Sequence, residues 1–300
     1  MPGPALRSAA MPVLTRRTLL ASLPAVAAPP GRDPNLARQL GVTTATLAAQ
    51  VALRPSPGQI ALLDLPRYLR DELDLTVIDL NTNTIKGASR RDLETFRAHA
   101  ARAGCVITNL KMNHARIALD AEDATARSRA IAAYQASIED AAVLGCRWVR
   151  ALPEARRPHW DRYVAGLREL AAAADKRNMG LLVENYGWME NDPDVIPRLI
   201  RAIGRGALCQ PDTGNWKDDV RYAGLANAFP YAVSCDFKAW DITPAGGHAR
   251  YDLRRCFDIG WKSGFRGPWC FEHLPEDKTT VFAGLKTLRD LLRTWMREAG

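Results

Sequence analysis

Four acidic residues in the second half of the chain each follow a short apolar run. They are Glu184 in GLLVENYGW, Asp212 in ALCQPDTGNW, Asp236 in AVSCDFKAW and Glu272 in GPWCFEHL. The gaps between them are 28, 24 and 36 residues, and one strand with one helix and two loops takes about 25–40 residues. The carboxylates therefore recur once per strand–helix unit.

This spacing constrains where the four side chains meet. In a parallel barrel all strands end on one face, so residues distant in sequence converge on one mouth, where such folds place their chemistry. Four carboxylates in one place repel each other unless a divalent cation or bound protons neutralise them. The pattern therefore predicts a cation site, with solvated loop acids or helix N-caps as the alternative.

The rest of the chain alternates strand and helix patterns. Most candidate strands are apolar on both faces, as in a parallel sheet covered by helices. Amphipathic stretches such as 121–144 lie between them, and no GxGxxG motif follows the first strand, which argues against an open doubly wound sheet. We predict an α/β chain forming a single (β/α)₈ TIM barrel over residues 29–300. The candidate strands are 40–46, 75–81, 104–112, 146–152, 179–186, 206–210, 231–238 and 267–273.

The first 28 residues have a different pattern. Arg16 and Arg17 precede a moderately apolar stretch that ends in the small residues 25–27. This pattern resembles a twin-arginine export signal and predicts a cleaved segment at 1–28 and a periplasmic protein. A basic tail is the alternative. No apolar run of about 18 residues follows, so no membrane span is expected after signal removal.

Charge and cysteine content exclude other classes. The net charge of +8 falls to +5 without Arg7, Arg16 and Arg17, because 38 basic residues then face 33 acidic ones. No dense Lys/Arg run remains, so no nucleic-acid partner is predicted. The six cysteines form no CxxC pair, and five lie in candidate strands, so neither a structural zinc site nor a disulfide framework is expected.

The motifs at the strand ends resemble those of a known family. They read Glu184-Asn185, Asp212-Thr213-Gly214-Asn215, Asp236-Phe237-Lys238 and Glu272. In this order they are similar to the xylose-isomerase-like barrels, the sugar phosphate isomerase/epimerase superfamily that includes the ketose 3-epimerases. The resemblance covers roughly residues 40–290 and is strongest from 140 onward.

The resemblance implies a mechanism. Glu184, Asp212, Asp236 and Glu272 would bind one divalent cation, and Glu184 and Glu272 would also act as acid and base on opposite sides of a sugar carbon. A cation on the carbonyl and adjacent hydroxyl oxygens stabilises the enediolate, and a carboxylate beside it takes the proton alpha to the carbonyl. The predicted function is a metal-dependent sugar isomerase or epimerase.

The chain departs from the family pattern at three places, and at one of them an arginine expected a few residues after the seventh strand is missing, where Asp241 and Ile242 stand. Asp236 replaces a histidine, so the ligands are all oxygen atoms and manganese or magnesium is favoured over cobalt or zinc. The excess negative charge would be offset by Lys238 or Arg250. Asn215 replaces a substrate-binding histidine, whereas Glu190 matches a substrate-binding acid of the epimerases.

The predicted partner is a small sugar or polyol-like carbonyl compound, and a homo-oligomer is left open. The residues predicted to bind it are Glu190, Asn215, Lys238, His114 and Trp188. For His114 a surface turn is the alternative, and for Trp188 ordinary packing under a loop. His273 should point away from the barrel interior, and export would favour an unphosphorylated substrate.

Two other functions use the same constellation. A dehydratase or lyase starts with the same proton abstraction, and a non-catalytic barrel would bind a carbohydrate without turnover. A phosphodiester nuclease of the related barrel type prefers several zinc ions and many histidine ligands. The chain has only five histidines, which argues against the nuclease.

Overall fold

The architecture is a barrel of eight parallel strands, seen in a computed structural model that describes residues 33–114 and 117–300. The predicted export signal at 1–28 lies outside these residues. The strands are β1 (Leu40–Thr43), β2 (Val77–Asn81), β3 (Val106–Met112), β4 (Trp148–Ala151), β5 (Gly180–Val183), β6 (Ala207–Cys209), β7 (Cys235–Ala239) and β8 (Trp269–His273). The fold prediction is confirmed.

The strands form a nearly complete ring. Hydrogen-bonded neighbours run in the order β6, β5, β4, β3, β2, β1, β8 and β7, with every pair parallel. Backbone bonds after β6 join it to β7: Asp236 N donates to Pro211 O at 2.9 Å, and Thr213 N donates to Asp236 O at 3.0 Å. The carboxyl ends of all eight strands therefore surround one mouth.

Within the described part of the chain, eight helices cover the barrel. They are α1 (Leu65–Leu73), α2 (Arg90–Arg102), α3 (Ala124–Leu144), α4 (Trp160–Asp175), α5 (Val195–Ile203), α6 (Arg221–Ala228), α7 (Leu253–Lys262) and α8 (Val281–Glu298). Local sequence fixes several starts, such as the Ser89–Asp92 capping box of α2 and the Asp123 cap of α3. None of the described helices is long and apolar enough to cross a membrane.

The strands are shorter than the sequence pattern predicts, and this affects the mouth. The first ends at Thr43 because a 3₁₀ turn, Thr44–Leu47, begins there. Strand β5 ends at Val183, so Glu184 is the first residue of the loop. A short parallel pair, Val51–Ala52 with Ile60–Ala61, extends the β1–α1 connection.

Strands β1 and β2 approach each other closely at Gly41, and a substitution there tests how rigid this contact is. A Cβ on Gly41 would lie 2.4 Å from the Val77 carbonyl oxygen, whereas a Cβ on Gly180 would meet the movable Leu208 Cδ1 at 2.7 Å. Overpacking costs about 1–3 kcal/mol. We expect Gly41→Ala to lower the free energy of unfolding in urea by about 2–3 kcal/mol and Gly180→Ala by about 1 kcal/mol. Equal small losses would contradict the rigid contact.

Candidate active site

Five carboxylates, rather than four, converge at the carboxyl ends of the strands. Asp79 of β2 joins Glu184, Asp212, Asp236 and Glu272, and we call these five residues the carboxylate cluster. Oxygen atoms of Glu184, Asp212 and Asp236 all lie within 4.8 Å of one another. The side chains of Asp79, Asp212 and Asp236 are 0% exposed, whereas Glu184 is 5% and Glu272 15% exposed. The two glutamates are therefore the members that a ligand at the mouth can reach.

Lys111 supplies the first of three positive charges to this cluster. Its side chain, on β3, is 1% exposed, and its Nζ lies 2.6 Å from Asp236 Oδ2, 3.6 Å from Asp79 Oδ2 and 3.9 Å from Glu272 Oε2. A buried ammonium with no partner would be strongly unfavourable. Lys111 therefore belongs to the site and requires its acidic partners.

Lys238 links the two accessible glutamates. Its Nζ lies 2.8 Å from Asp212 Oδ2 and 3.1 Å from Glu272 Oε1, and it donates to Asn215 Oδ1 at 2.7 Å. Asn215 Nδ2 in turn donates to Glu184 Oε1 at 3.1 Å. A polar chain thus runs from Glu184 through Asn215 and Lys238 to Glu272. Lys238 and Asn215, both predicted to be functional, are brought to the predicted acid and base.

Arg150 of β4 supplies the third charge. Its Nε lies 2.8 Å from Glu184 Oε2, and its Nη1 donates to Asn113 Oδ1 at 2.9 Å. The side chain is 5% exposed. Arg150 therefore fixes Glu184 from the side of the barrel opposite Asn215.

Beneath the cluster, a layer of amides crosses the barrel interior. Asn109 Nδ2 donates to Gln210 Oε1 at 2.9 Å, and Gln210 Nε2 donates to Asp79 Oδ2 at 2.6 Å and to Asp236 Oδ1 at 3.2 Å. All four residues are buried. These bonds orient both acids: Asp236 turns its other oxygen, Oδ2, to Lys111, whereas Asp79 uses one oxygen, Oδ2, for both Gln210 and Lys111.

Burial and mutual repulsion shift the acidities in this cluster. Burial raises the pKa of Asp79 and of Asp236. Burial also raises the pKa of Asp212 to about 7, and the charges of Glu272 and Glu184 add to the shift. For Glu272, burial again opposes ionisation, but Lys238 and Lys111 outweigh it and its pKa is lowered. Glu272 is therefore ionised at neutral pH.

The donor set fits a divalent cation. A bound cation would favour ionisation of all five carboxylates, and with Lys111, Arg150 and Lys238 beside them two negative charges would then be left for that cation to balance. Within the described residues, the buried atoms Glu184 Oε2 and Asp212 Oδ2 form no hydrogen bond, although each has a cation at ion-pair distance. Oxygen ligands alone suit magnesium or manganese. Both oxygens of Glu272 face lysines instead, so its role as a fourth ligand stays a prediction.

Two of the remaining residues predicted to bind substrate line a cavity, and the other two pack against helices. Glu190 and Asn215 line one open cavity of about 790 Å³ beside β6 and β7, where Glu190 pairs with Lys217 at 3.0 Å. Arg250 lies over the Trp240 ring at 3.9 Å, so Lys238 rather than Arg250 neutralises the carboxylates.

The structure does not bring His114 or Trp188 to the cluster. His114 Nε2 lies 2.9 Å from Ser137 Oγ of α3, and its ring contacts Tyr134 edge-on. Trp188 packs edge-on against Trp160 and Tyr163 of α4. Both rings face helices because apolar and hydroxyl partners are available there; for Trp188 this resembles the packing given as its alternative, whereas His114 is half-buried against α3 rather than in the surface turn given as its alternative.

His273 follows the expected alternation along β8. A Cβ added to Gly284 of α8 would lie 2.0 Å from His273 Nε2, so this ring points out of the barrel toward α8. Its Nδ1 lies 3.3 Å from Ala239 O.

Lys111 and Arg150 were missed by the sequence reasoning. Each is a lone charge inside an apolar run, in GCVITNLKM and CRWVRAL, and Asp79 in LTVIDLN has the same character. Charged residues are almost never fully buried unless they are paired. A charge within a strand that is apolar on both faces is therefore a usable signal for a residue of the barrel interior.

Comparison with known proteins agrees with this architecture. A family model described as "Xylose isomerase-like TIM barrel" matches residues 71–298. The chain is 24% identical over 206 residues to L-ribulose-5-phosphate 3-epimerase UlaE of Escherichia coli (strain K12), covering 62% of this chain and 71% of that protein.

Solved structures share the fold. A structure of L-ribulose 3-epimerase superimposes with a TM-score of 0.69 at 14% identity, covering 87% of this chain and 95% of that one. A xylose isomerase-like TIM barrel protein from Mycobacterium smegmatis in complex with magnesium gives 0.61 at 20% identity, covering 87% and 97%. The family model spans most of the chain and the barrel of parallel strands agrees with it, so this chain belongs to the xylose isomerase-like TIM barrel family.

Proposed function

We propose that the protein is a divalent-cation-dependent sugar isomerase or epimerase that moves a proton at the carbon next to a carbonyl. The observation that carries this proposal is the pair of accessible carboxylates, Glu184 and Glu272. They lie at the two ends of one chain of polar contacts through Asn215 and Lys238. Similarity to epimerases of ribulose and ribulose 5-phosphate supports the same reaction class.

The two glutamates exchange the proton. Glu272, ionised at neutral pH, takes the proton from the carbon next to the carbonyl, and the electron pair of the C–H bond moves to the carbonyl oxygen. In this direction Glu184, which follows β5 three strands away, starts protonated and gives its proton to the opposite face of the carbon as the carbonyl re-forms. Running the same steps in reverse exchanges the two roles. General acid–base catalysis of this kind contributes about 10²–10⁴-fold.

The cationic side chains stabilise the charge that develops. Lys238 lies between Asp212 and Glu272 at the mouth, so its ammonium group is placed near an oxygen that becomes negative. Arg150 and Asn215 hold Glu184 in position from two sides. A divalent cation held by Glu184, Asp212 and Asp236 would polarise the carbonyl as a Lewis acid. The magnesium complex of the similar Mycobacterium smegmatis protein supports magnesium as a candidate.

The acid–base assignment predicts a loss of proton exchange. Glu184→Gln and Glu272→Gln keep side-chain size but remove the base, so we expect each to reduce deuterium incorporation from D₂O into ketose substrates about 10²–10⁴-fold. NMR across a panel of ketoses and aldoses with added Mn²⁺ or Mg²⁺ measures this exchange. Glu139→Gln on the outer face of α3 is the control and should retain full exchange.

The same panel separates the competing functions. Saturable binding of sugars with no exchange in the unmodified, metal-loaded protein would replace catalysis with a carbohydrate-binding role. Exchange accompanied by loss of water, seen as an unsaturated ketone in the ultraviolet, would indicate a dehydratase. Both outcomes contradict the epimerase proposal.

The raised pKa of Asp212 predicts how pH and cation act together. An unfolded aspartate ionises near pH 4, whereas Asp212 in the folded protein does so at about 7. The folded state therefore binds the proton more tightly, and this contribution to stability is lost as pH rises toward and through about 7. We expect the Tm of cation-free protein to fall between about pH 5.5 and 8.

Added Mn²⁺ or Mg²⁺ should raise the Tm more at the higher pH, because the cation and protons compete for the same oxygens. In Asp212→Asn both the pH dependence and the cation effect should shrink, whereas Asp71→Asn on the surface of α1 should behave like the unmodified protein. A Tm that responds to neither cation at either pH would refute the cation site. Differential scanning fluorimetry measures these shifts.

We also propose export by the twin-arginine route, on the basis of Arg16 and Arg17. Replacing both with lysine should leave the precursor in the cytoplasm, because this route requires the arginine pair. Immunoblots of periplasmic and cytoplasmic fractions measure the distribution, with Arg7→Lys as the control. Unchanged export of the double variant would show that another route is used.

A further inference from the structure

A second cavity, of about 430 Å³, lies at the carboxyl ends of β1, β2 and β3 and adjoins the carboxylate cluster. The 3₁₀ turn after β1 and the short parallel strand pair form one wall, and the turn after β2 forms the other. Its polar lining comes from Thr44, Arg54, Asn81, Asn83, Thr84, Lys86 and Asn113, and it contains no carboxylate. The cavity therefore differs in charge from the cluster beside it.

Asn81 presents a fixed donor to this cavity. Its Oδ1 accepts hydrogen bonds from Thr43 Oγ1 at 3.0 Å, Thr44 Oγ1 at 3.2 Å and the Ala45 backbone N–H at 3.0 Å. The backbone donor settles which atom is the oxygen, because only an acceptor can face it. The side-chain Nδ2 has no acceptor within the described residues, although Asn81 is only 3% exposed. This donor is not among the fully buried unpaired atoms, so it is accessible from the cavity that Asn81 lines and can bond an acceptor of a ligand there.

Asn113 repeats this arrangement and connects the cavity to the cluster. Its Oδ1 accepts from Arg150 Nη1 at 2.9 Å, and the same arginine holds Glu184 Oε2 at 2.8 Å. Within residues 33–114 and 117–300, Asn113 Nδ2 has no acceptor. The cavity thus receives two amide donors and is joined to the proposed acid–base residue through one arginine.

Two cations complete the lining. Arg54 and Lys86 are both exposed and neither forms an ion pair within the described residues. Asp92 is the acid whose charge interacts with that of Arg54. Its carboxylate already accepts hydrogen bonds from Ser89 in the capping box of α2. Arginine and lysine with amide donors are the groups that bind carboxylate and phosphate oxygens.

We infer that this cavity binds an anionic group, a carboxylate or a phosphate ester, on the end of the substrate remote from its carbonyl. The inference rests on the proposed function for the reacting end and extends it to the substrate class: a sugar acid or a sugar phosphate rather than a neutral sugar. Arg54 and Lys86 can form charge-assisted hydrogen bonds with an anionic group, which are stronger than those a neutral hydroxyl would accept. A sugar acid also agrees with the predicted export, whereas a sugar phosphate revises the expectation of an unphosphorylated substrate.

Binding measurements test the cavity independently of turnover. We would titrate full-length protein by calorimetry with D-fructose, D-fructose 6-phosphate, D-fructuronate and inorganic phosphate. We expect the anionic ligands to bind at least about 10-fold more tightly than D-fructose, since a hydrogen bond to a charged group contributes about 1.5–3 kcal/mol and 1.4 kcal/mol is tenfold. The tighter of the phosphate and the carboxylate identifies the natural group.

Three substitutions locate this preference. Arg54→Gln and Lys86→Gln remove exposed charges and should each weaken anionic ligands about 10-fold, with D-fructose affinity unchanged. Asn81→Asp keeps an oxygen for the three donors and replaces the cavity-facing donor with a negatively charged acceptor, so it should weaken anions further. Arg205→Gln, on the loop before β6 at the opposite end of the barrel, is the matched control.

The results separate this inference from the proposed function. Selective loss of anion binding in the Arg54 and Lys86 variants supports the cavity even if no deuterium exchange is found with any sugar. Equal affinity for neutral and anionic ligands in the unmodified protein, or anion binding unchanged by both exposed substitutions, overturns the cavity assignment. Exchange into neutral ketoses would in that case leave the proposed function intact.

Discussion

The barrel mouth depends on the neutralisation of buried carboxylates by cations from other strands. Lys111, Arg150 and Lys238 come from β3, β4 and β7, and removing one partner of a buried ion pair typically costs about 3–5 kcal/mol. Strand register makes the pairs possible, because Lys238 lies opposite Glu272 in the β7–β8 ladder. Gln210, beneath the cluster, also binds Asp79 and Asp236, the two acids that Lys111 contacts. The barrel can therefore pack stably only when the charged side chains of its site are paired.

The acid at position 236 shows how one change requires another. Where the family has a histidine, Asp236 adds a negative charge, and Lys111 lies 2.6 Å from it. Either residue without the other would be a buried, uncompensated charge. The pair keeps the excess at two negative charges, which a single divalent cation can balance.

The two sides of the barrel mouth differ in charge. One side carries the carboxylate cluster, with its proposed cation and its accessible pair, Glu184 and Glu272. The other side is a cavity lined by amide donors and by Arg54 and Lys86. Asn113 lines the cavity and accepts a hydrogen bond from Arg150, which holds Glu184 on the other side. Such a field would orient a substrate that has a carbonyl at one end and an anion at the other.

The sequence alone determined the barrel, because strands apolar on both faces alternate with amphipathic helices, and acids recur once per unit. It also identified Glu184, Asp212, Asp236, Glu272, Lys238 and Asn215 as residues of one mouth. It did not point to Lys111 and Arg150, because the local pattern does not show which strands are neighbours. It predicted substrate contacts for His114 and Trp188, because the local pattern does not show toward which helix a ring turns. Only the tertiary structure decided how five carboxylates are paired with three cations, since those contacts join residues up to 161 positions apart.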